Sequence, residues 1–258
     1  VKGPPSPPAC PAGWRTGPPD FIGVGAQRSG TTWWFDLIVA HPEVAPPPAT
    51  RKELHYFDRF HAGGFTRYDA EAYGDYFPRP EGLLTGEWTP NYMAGPFTLA
   101  MLASAAPGAL VLVLLRDPVE RYLSGLQRHH RVMYASGQPL NAMAPLEAFA
   151  HGFYHAQLTR LLKRFERSRV LILQYERCTL DPRTELRRTY EFLGVRDTGF
   201  VPDLDAHPNR QPDKPELHAD ARRALVEAYA EDVTGLIRDY PEIDVGLWPN
   251  FAEPGVAG

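Results

Sequence analysis

Between Phe21 and Trp34 the chain reads FIGVGAQRSGTTWW, which places an arginine, a serine and two threonines between an apolar run and a second, helix-periodic one. The first amides of a helix are unpaired and lie at the positive end of its dipole, so polar residues at such a junction suit an oxyanion such as phosphate. Gly25, Gly30, Thr31 and Thr32 follow a Walker-type spacing, but Thr31 stands where that motif carries lysine. The loop's cation comes earlier, as Arg28 beside Ser29, where it can neutralise charge on a departing group. Two glycines alone would indicate only a tight turn. With Arg28, Ser29, Thr31 and Thr32 between them and the helix, an anion site is the stronger reading.

Two further clusters carry candidate chemistry. The stretch Thr50 to Asp58, TRKELHYFD, packs Lys52, Glu53, His55 and Asp58 beside Tyr56 and Phe57. It is either a surface turn with two aromatics beneath it, or a general base, Glu53 or His55, against an aromatic wall that tunes its pKa. The second cluster follows the aliphatic run Leu110 to Leu115, which stops at Arg116-Asp117-Pro118. Asp117 suits an N-cap, Pro118 the first helical position and Glu120 the capping-box position. Arg116 then lies at the carboxyl edge of a strand, where open α/β sheets place ligands. Ser124 follows two helical turns beyond Asp117, on the face of Arg121 and Arg128. Phosphate binding by Arg116 is favoured over a simple ion pair, because this strand, loop and helix repeat the arrangement of the first loop. The stretch from Asp197 to Pro215, with Asn209 and Arg210, is either a solvated connection or a cover over a bound nucleotide.

The elements that must position these residues alternate. Strands are expected at Phe21 to Val24, Leu83 to Glu87, Leu110 to Leu115 and Arg169 to Gln174. Helices are expected at Thr31 to Ala40, within Tyr68 to Phe77, at Pro96 to Ala105, from Pro118 onward, at Pro145 to Phe165, from Pro182 to Leu193 before Gly194, and at Ala219 to Tyr240. This order predicts an α/β, three-layer, P-loop-like fold with a central, mainly parallel sheet flanked by helices. Residues 1–19 are proline-rich and expected to be flexible, leaving 20–258 as one domain. A net charge of −4 argues against general nucleic-acid binding, so any basic cleft is local. Cys10 and Cys178 are the only cysteines, which leaves neither a disulfide framework nor a cysteine zinc site. No stretch approaches the roughly 18 apolar residues of a membrane span, and no signal-peptide pattern opens the chain, so a cytoplasmic protein without membrane partners is expected. Oligomeric state is not specified by these patterns.

Together the motifs resemble those of sulfotransferases that use 3′-phosphoadenosine 5′-phosphosulfate (PAPS). GAQRSGTTWW is similar to the family's 5′-phosphosulfate loop, and VLLRDPVERYLSGLQRH to its 3′-phosphate motif. GFYHAQLTRLLKRF, VLILQYERCTLDP and YEFLGV resemble its downstream signature, so the likeness runs from Phe21 to Gly194. KELHYFD is most similar to the Glu-x-His-Phe-Phe-Asp segment of heparan sulfate 3-O-sulfotransferases. The resemblance implies PAPS as sulfuryl donor, the desulfated nucleotide PAP as product, and no metal requirement. It implies that Arg28 replaces the loop lysine, that Ser29, Gly30, Thr31 and Thr32 hold the 5′-phosphosulfate, and that Arg116 and Ser124 hold the 3′-phosphate. Glu53 becomes the leading base, supported by His55 and Asp58. One departure bears on the acceptor: in GEWTPNY, Trp88 stands where the heparan enzymes have an active-site lysine. Their paired cysteines are also missing, and both differences weaken a glycosaminoglycan acceptor. Asp58, Trp88, Tyr92 and Tyr134, with Tyr56 and Phe57, are expected to line a pocket for a small-molecule or glycan acceptor. The run Arg128 to Arg131 is either an acidic-acceptor contact or a solvated helix face. A P-loop kinase or hydrolase is the main rival; it needs a magnesium carboxylate, for which Asp117 is the obvious residue but one suited to capping. A binding module walled by Trp33, Trp34, Trp88 and Tyr92 is the other, and it would have no use for Glu53.

Overall fold

A computed structural model describes residues 5–46, 52–60, 64–196, 198–204 and 217–252. Four apolar runs form strands: β1 (Phe21–Gly25), β2 (Gly86–Trp88), β3 (Leu110–Leu115) and β4 (Val170–Gln174). They make one parallel sheet in the order β2-β1-β3-β4. β3 is continuously aliphatic because both its faces are covered. Val111, Val113 and Leu115 join one apolar cluster and Leu112 and Leu114 the other, as the two-residue period of a strand requires. Full burial of such side chains stabilises the fold by about 1.5–3 kcal/mol each.

On one face lie α1 (Thr31–Val39), α7 (Tyr175–Leu180) and α8 (Pro182–Leu193), with Trp34 and Leu186 packed on the sheet. On the other lie α3 (Thr98–Ala105), α6 (Tyr154–Leu162) and α9 (Ala219–Asp239), through Leu102, Leu158 and Leu236. The architecture is the three-layer α/β fold. α2 (Arg67–Tyr73), α4 (Pro118–Ser136) and α5 (Ala144–Ala150) complete the helices that bear on the site. Asp117 caps α4 by accepting from Val119 and Glu120 amides, and Gly194 ends α8 with φ 72°.

Several boundaries differ from expectation, β2 among them, which covers Gly86–Trp88 and not Leu83 to Glu87. The stretch from Pro145 to Phe165 is not one helix but α5 and α6. At Gly152 the Tyr229 ring comes within 2.6 Å of where a Cβ would sit, and Tyr229 Oη donates to the Phe149 carbonyl at 2.9 Å, ending α5. α7 follows β4 directly and carries no apolar period long enough to announce it. The end of the proline-rich lead-in is held down: Arg15 pairs with Arg79, Gly17 donates to Gly74, and the buried Arg79 guanidinium bonds the Gly17 and Pro18 carbonyls. Among the described residues no helix is long and apolar enough to cross a membrane.

Candidate active site

The loop between β1 and α1 turns through a bond from Ser29 N to Ala26 O at 3.3 Å. Gly30 leaves it with φ 85°, and a Cβ there would meet the Tyr175 ring at 2.7 Å, so only glycine fits. Arg28 also has a left-handed backbone, φ 70°, an unfavourable state for a residue with a Cβ that a packed site must hold in place. Ser29 and Thr31 are buried, and the α1 amides that follow are available to an anion.

Arg28 Nε and Nη2 donate to Ser124 Oγ of α4 at 3.2 and 3.1 Å. Arg116, at the end of β3, donates to the Arg28 carbonyl at 3.3 Å and lies over the Tyr175 ring. The two strand-to-helix loops therefore converge on one place. Burial, followed by the charges of Arg128, Arg116 and Arg131, pulls the Arg28 guanidinium down to about 10. Cations crowded in this way are stabilised by an anion bearing more than one charge.

Across the α1 N-terminus lies the segment that begins at Lys52. Lys52 Nζ donates to Thr31 Oγ1 at 2.9 Å, Thr32 Oγ1 at 3.2 Å and Glu53 Oε1 at 3.1 Å. Glu53 Oε2 meets His55 Nε2 at 3.2 Å, and His55 Nδ1 meets Asp58 Oδ2 at 2.8 Å. Burial favours the neutral form of Glu53, but the contacts with His55 and Lys52 outweigh it and hold the carboxyl below its ordinary range. His55, bonded by Asp58 and then Glu53, is pushed up to about 10. At neutral pH the four residues thus alternate in charge, from the ammonium of Lys52 to the carboxylate of Asp58. Lys52 itself is lowered by burial, against the raising effect of Glu53.

What holds this segment is Glu87 of β2, fully buried and not among the expected site residues. Its oxygens accept from Leu54 N at 3.1 Å, Tyr73 Oη at 2.6 Å, Thr89 Oγ1 at 2.5 Å and Tyr92 Oη at 3.2 Å. Burial raises its pKa despite these bonds. The Tyr56 amide donates to Tyr92 Oη at 2.9 Å, and Trp88 N to the Lys52 carbonyl at 2.9 Å. Lys52 and Glu87 are the two residues missed by reading motifs. Lys52 was marked only by its place next to Glu53, and Glu87 by being a lone carboxylate in an apolar three-residue strand.

The expected acceptor wall needs correction. Trp88 is fully buried: its indole lies on Gly23, where any side chain would collide with it, and Nε1 donates to the Gly25 carbonyl at 3.1 Å. Tyr92 is equally buried and serves Glu87 and Tyr56. Neither presents surface to an acceptor. Trp33 and Trp34 are core residues of α1. Tyr134, near the end of α4, is 92% exposed and lines no described cavity. Arg121 does not share the outer face with Arg128: it is buried and donates to the Ala148 carbonyl of α5. Asn209 and Arg210 lie outside the described residues. Asp58 remains beside His55, and Arg28, Ser29, Gly30, Thr31, Thr32, Arg116, Ser124, Glu53 and His55 are brought into one site.

A family model for the sulfotransferase domain matches residues 18–207. The chain is similar to membrane-associated sulfotransferase kil1 of Dictyostelium discoideum, 36% identical over 134 residues, which are 52% of this chain and 27% of that protein. It is also similar to heparan sulfate glucosamine 3-O-sulfotransferase 3A1 of Mus musculus, 30% identical over 189 residues, 69% of this chain and 46% of that protein. It thus spans less than half the length of these relatives. Among solved structures, a sulfotransferase from Alicyclobacillus acidocaldarius superposes with a TM-score of 0.68 at 26% identity, covering 89% of this chain and 98% of that one. The sulfotransferase domain from the curacin biosynthetic pathway shares the fold, with a TM-score of 0.55 at 17% identity over 80% of this chain and 83% of its own.

Proposed function

The chain belongs to the sulfotransferase family, and from that premise we propose that it moves the sulfuryl group of PAPS to a hydroxyl or amine of a small-molecule or carbohydrate acceptor. The observation that carries the donor assignment is the crowding of Arg116, Arg128 and Arg131 around Arg28, at the mouth of a helix N-terminus. The amides and hydroxyls from Ser29 to Thr32 would hold the phosphosulfate end. Arg116 and Ser124 would hold the 3′-phosphate, with Asn209 and Arg210 expected to close over the nucleotide.

Glu53 is the base in this reading. It is ionised at neutral pH and accepts the acceptor's proton as the acceptor atom bonds to sulfur and the bond from sulfur to the phosphate oxygen breaks. The contacts with Asp58 and then Glu53 favour the protonated form of His55, which supports Glu53 as the base and His55 as the residue that orients it. Arg28, Lys52 and the α1 amides stabilise the charge left on the phosphate of PAP.

A kinase reading is disfavoured by a specific observation. Both oxygens of Asp117 are engaged, Oδ1 by the Val119 and Glu120 amides and Oδ2 by Asn250 N and Nδ2, at 2.9 to 3.1 Å. Calorimetric titration with PAP and with ATP, both without metal, tests the assignment. PAP should bind more tightly, and Arg116→Ala should weaken it by about 10- to 100-fold, the loss expected for charge-assisted bonds to phosphate. ATP binding that equals or exceeds that of PAP and needs magnesium would overturn it.

A further inference from the structure

Arg116, the residue proposed to hold the donor's 3′-phosphate, has a carboxylate beside it. Glu120, one turn along α4, brings Oε2 to 3.9 Å from Arg116 Nη2, and both side chains are only 12% exposed. A phosphate arriving at this guanidinium would meet a like charge with little water to screen it. Taken by themselves, Arg116 and Glu120 cancel.

A second cation lies on the far side of Glu120. Arg222, in the first turn of α9, places Nη1 3.4 Å from Glu120 Oε1 across 102 positions of the chain. The same nitrogen donates to Asn250 Oδ1 at 2.5 Å. Asn250 is fixed in turn, because its N and Nδ2 donate to Asp117 Oδ2 at 3.0 and 2.9 Å. Two residues earlier, Trp248 Nε1 donates to Glu176 Oε2 at 3.1 Å, and Glu176 Oε1 accepts from the Asp117 amide at 3.0 Å. Neutral donors therefore occupy the carboxylates of Asp117 and Glu176. Glu120 differs from both, since it lies between two guanidinium groups.

That placement decides the charge offered to a phosphate. With Arg222 on Glu120, the carboxylate keeps a partner when Arg116 turns to an anion, and the three groups carry a net positive charge. Without it, Arg116 would have to leave a half-buried carboxylate unpaired, which is costly. Building on the sulfotransferase reading, we propose that Arg222 is a positioning residue for the donor's 3′-phosphate: it engages Glu120 and so releases Arg116 to the phosphate, while Asn250 holds Arg222 in place.

Calorimetric titration with PAP and with adenosine 5′-phosphate, which lacks the 3′-phosphate, tests this. Wild-type protein should bind PAP about tenfold or more tightly than adenosine 5′-phosphate. Arg222→Met should weaken PAP about tenfold and leave adenosine 5′-phosphate within about twofold. Adding Glu120→Gln to Arg222→Met should return PAP to within about threefold of wild type, because the charge that Arg222 offsets is then gone. Glu120→Gln alone should bind PAP more tightly than wild type, and it keeps the proposal testable if Arg222→Met does not fold. An equal loss for both nucleotides in Arg222→Met, or no loss for PAP, overturns the proposal. So does weaker PAP binding by Glu120→Gln. A double variant that stays weak also overturns it, since Arg222 would then touch the phosphate itself. Wild-type protein that binds the two nucleotides equally would instead overturn the donor reading beneath the proposal, and so the two failures are distinguishable.

Discussion

Around Arg28 the neighbouring charges that act most strongly on it are of its own sign, those of Arg128, Arg116 and Arg131, and its guanidinium is pulled down to about 10. Around Glu53 the charges alternate: Lys52 and His55 flank it, and Asp58 closes the row. On the proposed assignment the Arg28 side is the donor half, completed by an anion, and the Glu53 side is the acceptor half. The acceptor half satisfies itself and sets its own protonation states before anything binds. Changes in the first should be read mainly as affinity, and changes in the second mainly as turnover.

Glu53→Gln is the largest expected break in that division. It keeps shape and removes the proposed proton acceptor, so kcat should fall by about 10²- to 10⁴-fold, the usual worth of a positioned base. PAP affinity, measured by calorimetry, should change by less than about threefold, since Glu53 acts on Arg28 as the weakest of the named influences. A loss of PAP affinity as large as the loss of turnover would mean that the two halves are not separate.

Lys52→Met sharpens the boundary, because Lys52 belongs to both sides: it bonds the Thr31 and Thr32 hydroxyls and the Glu53 carboxylate. Loss of one preorganised cation at a developing charge is expected to lower kcat by about 10- to 100-fold. Lys52 also helps to hold Glu53 below its ordinary pKa, so the acidic limb of the pH–rate profile should move upward in the variant. A lower kcat with an unmoved limb would place Lys52 wholly on the donor side.

The same contrast explains what was legible from residue order. The donor half is two contiguous strand-to-helix junctions, and FIGVGAQRSGTTWW or LLRDPVE carries each with its turn and cap residues in place. The acceptor half depends on pairing across the chain. Glu87 reaches Leu54 over 33 positions, and the bond from Trp88 N to the Lys52 carbonyl lays that segment along β2. Trp88 was expected at the acceptor because of its neighbours in GEWTPNY, but Gly23 on the adjoining strand leaves a slot for the indole, and the side chain turns inward. Tyr92 follows it inward because the carboxylate of Glu87, taken out of water, requires donors. Motif spacing records which side chains lie near each other along the chain. It does not record which face of a short strand meets a glycine.

The smallest expected effect concerns stability. Hydrogen bonds donated to Asp58 and then Glu53 raise His55 from its ordinary 6.5 to about 10 in the folded protein. A raised pKa contributes stability that is fully present below the unfolded value and fades as pH climbs through the folded one. The ion pairs therefore act in full near pH 6, provided Glu53 and Asp58 remain ionised, and are lost by about pH 10. With the His55 side chain 36% exposed, solvent screening limits the contribution to about 1 kcal/mol. His55→Asn is the suitable variant, because His55 has φ 53° and asparagine is among the side-chain-bearing residues that best tolerate that left-handed backbone. Urea unfolding should show the variant about 1 kcal/mol less stable near pH 6 and the gap closing toward pH 10. A gap of constant size across that range would assign His55 a role in shaping the turn after Leu54, and the alternation of charge around Glu53 would then serve turnover without contributing to the fold.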